Sequence, residues 1–412
     1  MKKLKSLLLY SAAAVFALTS CDDEEENNNG GGSTGANVVS VTGEITADET
    51  WTANNIYRLD GRVTVTGGAT LTIEPGTIIK GAPGAGQFAS ALMIAREGMI
   101  MAEGTAAEPI IFTSVADNIQ PGEIESPNMD PQNNGLWGGV LILGKATISA
   151  SEPEVQIEGI PTSDANGLYG GSEDTHSSGV FTYVSIRHGG TNIGAGNEIN
   201  GLSLGGVGSG TTINNIEVVA NQDDGIEWYG GDVNITNALV WNSGDDALDT
   251  DQDWIGTCEN FVVVTPDGGS AFELDGPEGN INRGCHSFNN GVVYAGGGID
   301  HLIDWDGGTN AGLTNIHFFG IQNDYVYIAD DPATTDDDEE FDPFESWGGD
   351  QNCNTANITI ELGSQSLADM FNPNDNVPNA IMEASSLPGN VDLGAFSWTW
   401  ARQSGALGTI GL

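Results

Sequence analysis

Basic side chains are nearly missing from this chain: 11 of its 412 residues are lysine or arginine, against 58 aspartates and glutamates. Three of the 11 are Lys2, Lys3 and Lys5, so a chain lacking the first twenty residues carries 8 basic against 58 acidic groups. Such a surface repels phosphate backbones, anionic headgroups and polyuronate chains, which excludes nucleic acid as a partner. It favours divalent cations and neutral or cationic ligands, and it also suits a saline habitat. Helical periodicity is missing too, since no stretch of helix length in the body places apolar residues at 3.6-residue spacing. Long apolar runs are confined to residues 7–18, too short to cross a bilayer. Cysteine is scarce, with Cys21, Cys258, Cys285 and Cys353 at spacings that fit no metal motif. An oxidising compartment permits one disulfide among the last three, with the pairing open.

What is present begins with an address. A basic start, a short apolar stretch and Leu18-Thr-Ser-Cys21 predict a signal peptide over residues 1–20. The junction resembles a bacterial lipobox, which implies that Cys21 is acylated and holds the protein to outer-membrane lipid. Residues 21–37 open with Asp-Asp-Glu-Glu-Glu behind the cysteine and continue through Asn, Gly, Ser and Thr, a flexible tether. Acids directly behind a lipidated cysteine resemble the surface-export signals of Bacteroidetes lipoproteins, implying display on the outer leaflet. The alternative is a solvated spacer.

The body, residues 38–412, repeats itself. Segments starting at Asn215, Asn237 and Asn260 align, and they place Glu227, Asp249 and Glu273 at equivalent positions, 22 and 24 residues apart. Two short alternating runs per unit have the period of strands, and strands this short bury a face only by stacking coil on coil. We expect a single-domain all-β parallel β-solenoid with coils of about 22 to 27 residues. The 59 glycines suit its tight corners, where Asn215, Asn237 and Asn260 are expected to stack as a structural ladder. Residues 329–347, with five consecutive acids at 336–340, read as a loop projecting from one coil.

Leu71-Thr-Ile-Glu-Pro-Gly-Thr-Ile-Ile-Lys-Gly81, Leu136-Trp-Gly-Gly-Val-Leu-Ile-Leu-Gly144 and Asp223-Asp-Gly-Ile-Glu-Trp-Tyr-Gly-Gly231 resemble a family of Bacteroidetes outer-membrane β-helix lipoproteins over roughly residues 40–400. That resemblance implies a pectate-lyase-like right-handed parallel β-helix and says little about chemistry.

Chemistry is expected on the repeated acids. Glu227, Asp249 and Glu273 should form an outward column at about 4.8 Å per coil, with Asp251 and Asp275 on the same face and Asp223, Asp224, Asp245 and Asp246 in the preceding turns. Like charges so close need a counter-ion, raised pKa values or solvent. Glu227, Asp249, Asp251, Glu273 and Asp275 are candidate Ca²⁺ ligands, since that ion takes six to eight oxygens; a hydrated acidic face is the alternative. Residues 249–253 are not an EF-hand, because Trp254 and Asn260 stand where glycine and glutamate belong. Asp223, Asp224, Asp245 and Asp246 are candidates for carboxylate-based glycoside hydrolysis. A uronate lyase needs a cation, and cationic and imidazole groups cluster only at Arg187 with His188 and at Arg283 with His286. Tyr229, beside Glu227, is a candidate for stacking on a sugar, as are Trp137, Trp228, Trp241, Trp254, Trp305 and Trp347. Trp398 and Trp400 are expected to close the solenoid end. The functional expectation is a lipoprotein whose acidic, partly aromatic face binds a neutral glycan or another envelope component, alone or with outer-membrane uptake or envelope proteins. The alternatives are a glycoside hydrolase and a structural or adhesion protein.

Overall fold

Alternating strands that cannot each bury a face alone are stacked here coil on coil. The computed structural model describes residues 36–412 except 193–198, 268, 300, 306–307, 322–352, 364–365, 371–378 and 388. The signal segment, Cys21, the tether up to residue 35, the acidic insertion at 329–347 and Trp347 lie outside the described residues. One sheet holds 22 strands, paired in parallel, and winds as a right-handed parallel β-helix. Among the described residues one antiparallel pair, Val155–Gln156 with Leu168–Tyr169, stands apart.

Each coil presents three faces. Face A stacks residues 184–187, 216–219, 238–241, 261–264, 291–294 and 316–319. Face B stacks 180–182, 212–214, 235–236, 257–259, 287–289 and 312–314. Face C stacks 140–143, 202–205, 226–229, 248–251, 272–274 and 304–305. Strict alternation sends Ile226, Trp228, Leu248, Phe272 and Leu274 into one core that runs from coil to coil, where Trp228 and Trp254 stack at 4.6 Å.

Faces B and A are one bent strand. Thr212–Val219, Ile235–Trp241 and Thr257–Asp267 turn at Asn215, Asn237 and Asn260, with φ of 54°, 61° and 58°. Asparagine tolerates this left-handed conformation better than other L-residues with a side chain. Asn237 Nδ2 donates to Asn215 Oδ1 at 2.9 Å and Asn260 Nδ2 to Asn237 Oδ1 at 2.6 Å, so the expected ladder forms. It resumes beyond Asn260, with Asn315 donating to Asn290 and Asn357 to Asn315, both at 2.9 Å. From Asn215 to Asn315 the corners are spaced by 22, 23, 30 and 25 residues. The 30-residue step exceeds the expected coil length because it carries the loop of Arg283, which is tied back to Asp232 at 3.0 Å.

One feature corrects the reading of the sequence, and another supplies a pairing that it left open. Trp398 and Trp400 do not close an end: Trp400 packs edge-on against Trp241 at 5.7 Å and Trp398 against Tyr183 at 5.6 Å. With the four-residue helices Trp400–Gln403 and Ala406–Thr409, they cover the outer side of face A, where Val219, Leu239, Trp241, Val262 and Val264 form a second apolar cluster. The disulfide joins Cys285 to Cys353, while Cys258 is a buried free thiol in the core.

Candidate metal centre

The acids of face C fall where the repeat places them. Ser203, Glu227, Asp249, Glu273 and Asp304 are successive partners across five coils. Their side chains point away from the core, yet Glu227 and Asp249 are only 5% and 7% exposed. The reason is a roof: Ile148, Ile157, Ile160 and Tyr169 pack over Leu141, Leu143 and Tyr229 on the outer side of this face. The expectation of an open acidic face is corrected at Glu227 and Asp249, which are covered, while Glu273 is half-buried and Asp304 exposed.

The turns feed the same spot. Asp224 Oδ1 accepts the amide of Asp246 at 3.0 Å, and Asp246 Oδ1 accepts that of Ser270, so these two aspartates brace successive turns. Carboxylate oxygens of Asp224, Glu227 and Asp249 lie within 4.8 Å of one another. A second group, Asp223, Asp224 and Asp245, shares Asp224 at the same spacing, and there Asp245 is exposed. Among the described residues no lysine or arginine forms an ion pair with Asp224, Glu227 or Asp249. Burial and the neighbouring carboxylates therefore drive the protons on. Glu227 is pushed up to about 8, and Asp224 and Asp249 rise well above the ordinary aspartate range.

The donor set suits a hard divalent cation. Three carboxylates converge, and ligand oxygens held 2.3 to 2.6 Å from one Ca²⁺ are themselves a few ångströms apart. Two buried amide oxygens of neighbouring residues, Asn200 Oδ1 and Asn221 Oδ1, have no hydrogen-bond partner among the described residues. Both amides are tied to the cluster, Asn200 Nδ2 donating to Glu227 and Asn221 Nδ2 donating to the Asp224 carbonyl at 2.7 Å. Unsatisfied buried acceptors are costly and rare, although in both amides it is the nitrogen that bonds to the cluster, and Asn221 Oδ1 lies against Gly189.

Not every expected ligand gathers here. Asp251 lies two residues along, beneath the roof, where Glu278 and Glu227 add to the burial that raises it. Asp275 is half-buried at the strand end, its amide bonded to the Thr250 carbonyl at 2.8 Å. Glu273 is half-buried and pushed up by burial and by Asp246, with which it shares a hydrogen bond. Asp224 belongs with the column although the sequence reading left it in a turn; its three-residue spacing to Glu227, repeated in Asp246 and Asp249, was the available signal. Asn200 and Asn221 carried no signal.

Several other expectations are corrected. Tyr229 offers no face to a sugar: it is 5% exposed, packs at 5.9 Å from Tyr169 and donates to Glu158 at 3.0 Å. Trp137, Trp228, Trp241, Trp254 and Trp305 are buried as well, so none of them forms a platform. The cationic clusters are occupied. Arg187 is buried against Glu217, Arg283 is bound to Asp232 and Asp253, and His286 stacks on Trp254 at 5.3 Å. None is placed to neutralise a uronate.

A parallel β-helix with an acid column buried at Glu227 and Asp249, and with no exposed tryptophan among its described residues, is a repeat scaffold with a built polar centre. The chain belongs to the pectate-lyase-like β-helix domain family, whose match spans residues 43–294. Neither a curated protein nor a solved structure matches it.

The raised carboxyls have a sign that is open to measurement. Folded Glu227 titrates near 8, whereas its value in the unfolded chain is near 4.5. Between those values the folded state binds more protons, so stability is greatest at the acid end and falls as pH rises. In chelator-treated protein the melting temperature should drop between about pH 4.5 and 8, with Glu227→Gln flattening the drop. A Glu227→Gln profile parallel to that of the parent contradicts this assignment.

Proposed function

We propose that this chain is an exported lipoprotein, acylated at Cys21 and displayed on the outer membrane, whose β-helix is held by Ca²⁺ and binds a neutral glycan or another envelope component. The observation that carries the reading is the convergence of Asp224, Glu227 and Asp249 in a buried site where, among the described residues, no lysine or arginine pairs with them. The Cys285–Cys353 disulfide supports an oxidising compartment outside the cytosol. When bound, Ca²⁺ supplies the positive charge the site lacks; Asp224, Glu227 and Asp249 would hold it, joining two coils and a turn. Deficiency of basic groups favours a neutral ligand over an acidic one.

Hydrolysis is the weaker reading. Asp224 and Asp246 are buried and engaged with backbone amides, and a sugar reaches neither without displacing the turn. A glycan array probed with and without chelator tests the proposal. Retention of neutral glycans that is lost on chelation is expected. Release of oligosaccharide would replace the binding reading with a hydrolase, and silence across the array would overturn both.

A further inference from the structure

Face B differs from the rest of this acidic molecule. Its outward positions on successive coils read Thr182, Asn214, Thr236, Glu259, Asn289 and Thr314 in one column. Thr212 and Asn234 are exposed beside it, and Thr257 and Ser287 continue that neighbouring column at half-buried positions. From Thr182 to Thr314 hydroxyls and amides fill these positions, with Glu259 as the single acid on a chain that carries 58 acidic residues; upstream the column ends at the exposed Glu103, the partner of Thr182. Along the corner a shallow groove of about 370 Å³ is lined by Thr212, Asn214, Asn215, Asn234, Thr236 and Asn237, with no charged group.

We propose that this groove on face B binds an extended neutral polysaccharide, its chain running along the solenoid axis. The proposal rests on the glycan reading above and gives it a place separate from the acid column. Three observations carry it. An uncharged hydroxylated chain needs donors and acceptors, and the groove offers both from side chains of two adjacent coils. Charge complementarity favours it, because anionic polymers are repelled by the rest of the surface while a neutral one loses nothing by approaching. Spacing favours it as well: coils recur at about 4.8 Å, close to the length of one pyranose unit in an extended chain, so equivalent side chains meet successive sugars. Hydrogen bonds already order the array, Asn234 Oδ1 accepting the Thr257 amide at 2.8 Å and Thr257 Oγ1 lying 3.0 Å from Ser287 Oγ. A pre-ordered polar surface loses less side-chain freedom on binding.

The test is co-sedimentation of the full chain with insoluble neutral polysaccharides, cellulose and a β-1,3-glucan, with soluble polygalacturonate as competitor. Retention on a neutral polymer, unaffected by polygalacturonate, is expected. Thr212→Val with Thr236→Val removes two hydroxyls while keeping side-chain volume and strand preference, and should weaken binding about tenfold with the melting temperature unchanged. Glu152→Ala, on an exposed loop elsewhere, should bind as the parent does. Parent binding that survives the double valine variant overturns the assignment to face B and leaves the glycan reading standing. No retention on either polymer overturns both.

Discussion

Glu217→Ala should destabilise the protein by about 3–5 kcal/mol, a drop of roughly 5 °C in melting temperature for a body of this length. Glu217 and Arg187 have fully buried side chains, with Glu217 Oε2 3.7 Å from Arg187 Nη2. Ser185 Oγ donates to the same carboxylate oxygen at 2.6 Å, and the Ala401 amide donates to the other at 2.9 Å. Arg187 in turn donates to the Ile124 carbonyl at 2.6 Å and lies 4.9 Å from the Trp400 ring. Burial pushes Arg187 down and the Glu217 charge holds it up, so removal of the carboxylate leaves a guanidinium without its counter-charge in an apolar place. The same change cuts the bond to Ala401, so amide exchange around residues 400–404 should accelerate. Arg187→Met with Glu217→Leu removes both charges and should recover most of the loss. If the double variant melts as low as Glu217→Ala, the pair is not what holds the C-terminal segment.

The corner ladder gives the second large effect. Asn237→Ala removes a side chain that bonds both Asn215 and Asn260 and that sits at a φ of 61°. Two lost hydrogen bonds cost about 0.5–1.5 kcal/mol each, and alanine in the left-handed region adds about 1–2 kcal/mol. A loss of about 3 kcal/mol is expected from urea unfolding. Asn237→Gly lacks the backbone penalty and should be less destabilised by about 1 kcal/mol. Equal losses for the two variants would show that the conformation at this corner contributes nothing to asparagine's advantage.

Much of the architecture was legible in the chain. The 22- and 24-residue intervals between Glu227, Asp249 and Glu273 set the coil and put these acids in register. Alternation in Phe272, Glu273 and Leu274 separated core from exterior correctly. The outer side of face A was missed, although the unbroken run from Phe261 to Val264 already carries the mark of a strand buried on both sides. The roof over face C was not legible. Nothing local to residues 144–176 says that Ile148, Ile157 and Tyr169 pack over Tyr229, a contact made across 60 or more residues of chain. That roof turned Tyr229 from a sugar platform into a buried hydrogen-bonding group and the acid column into an enclosed centre. The disulfide pairing was closed to sequence reasoning for the same reason, since Cys285 and Cys353 are 68 residues apart.

The most direct measurement is a calcium titration of the chelator-treated full chain at neutral pH, followed by calorimetry and by melting temperature. Binding is expected, with a rise of about 5 °C or more at saturating Ca²⁺, and Asp224→Asn with Asp249→Asn should remove both signals. An unaltered melting temperature and no heat of binding in the parent protein would contradict a cation centre at Asp224, Glu227 and Asp249.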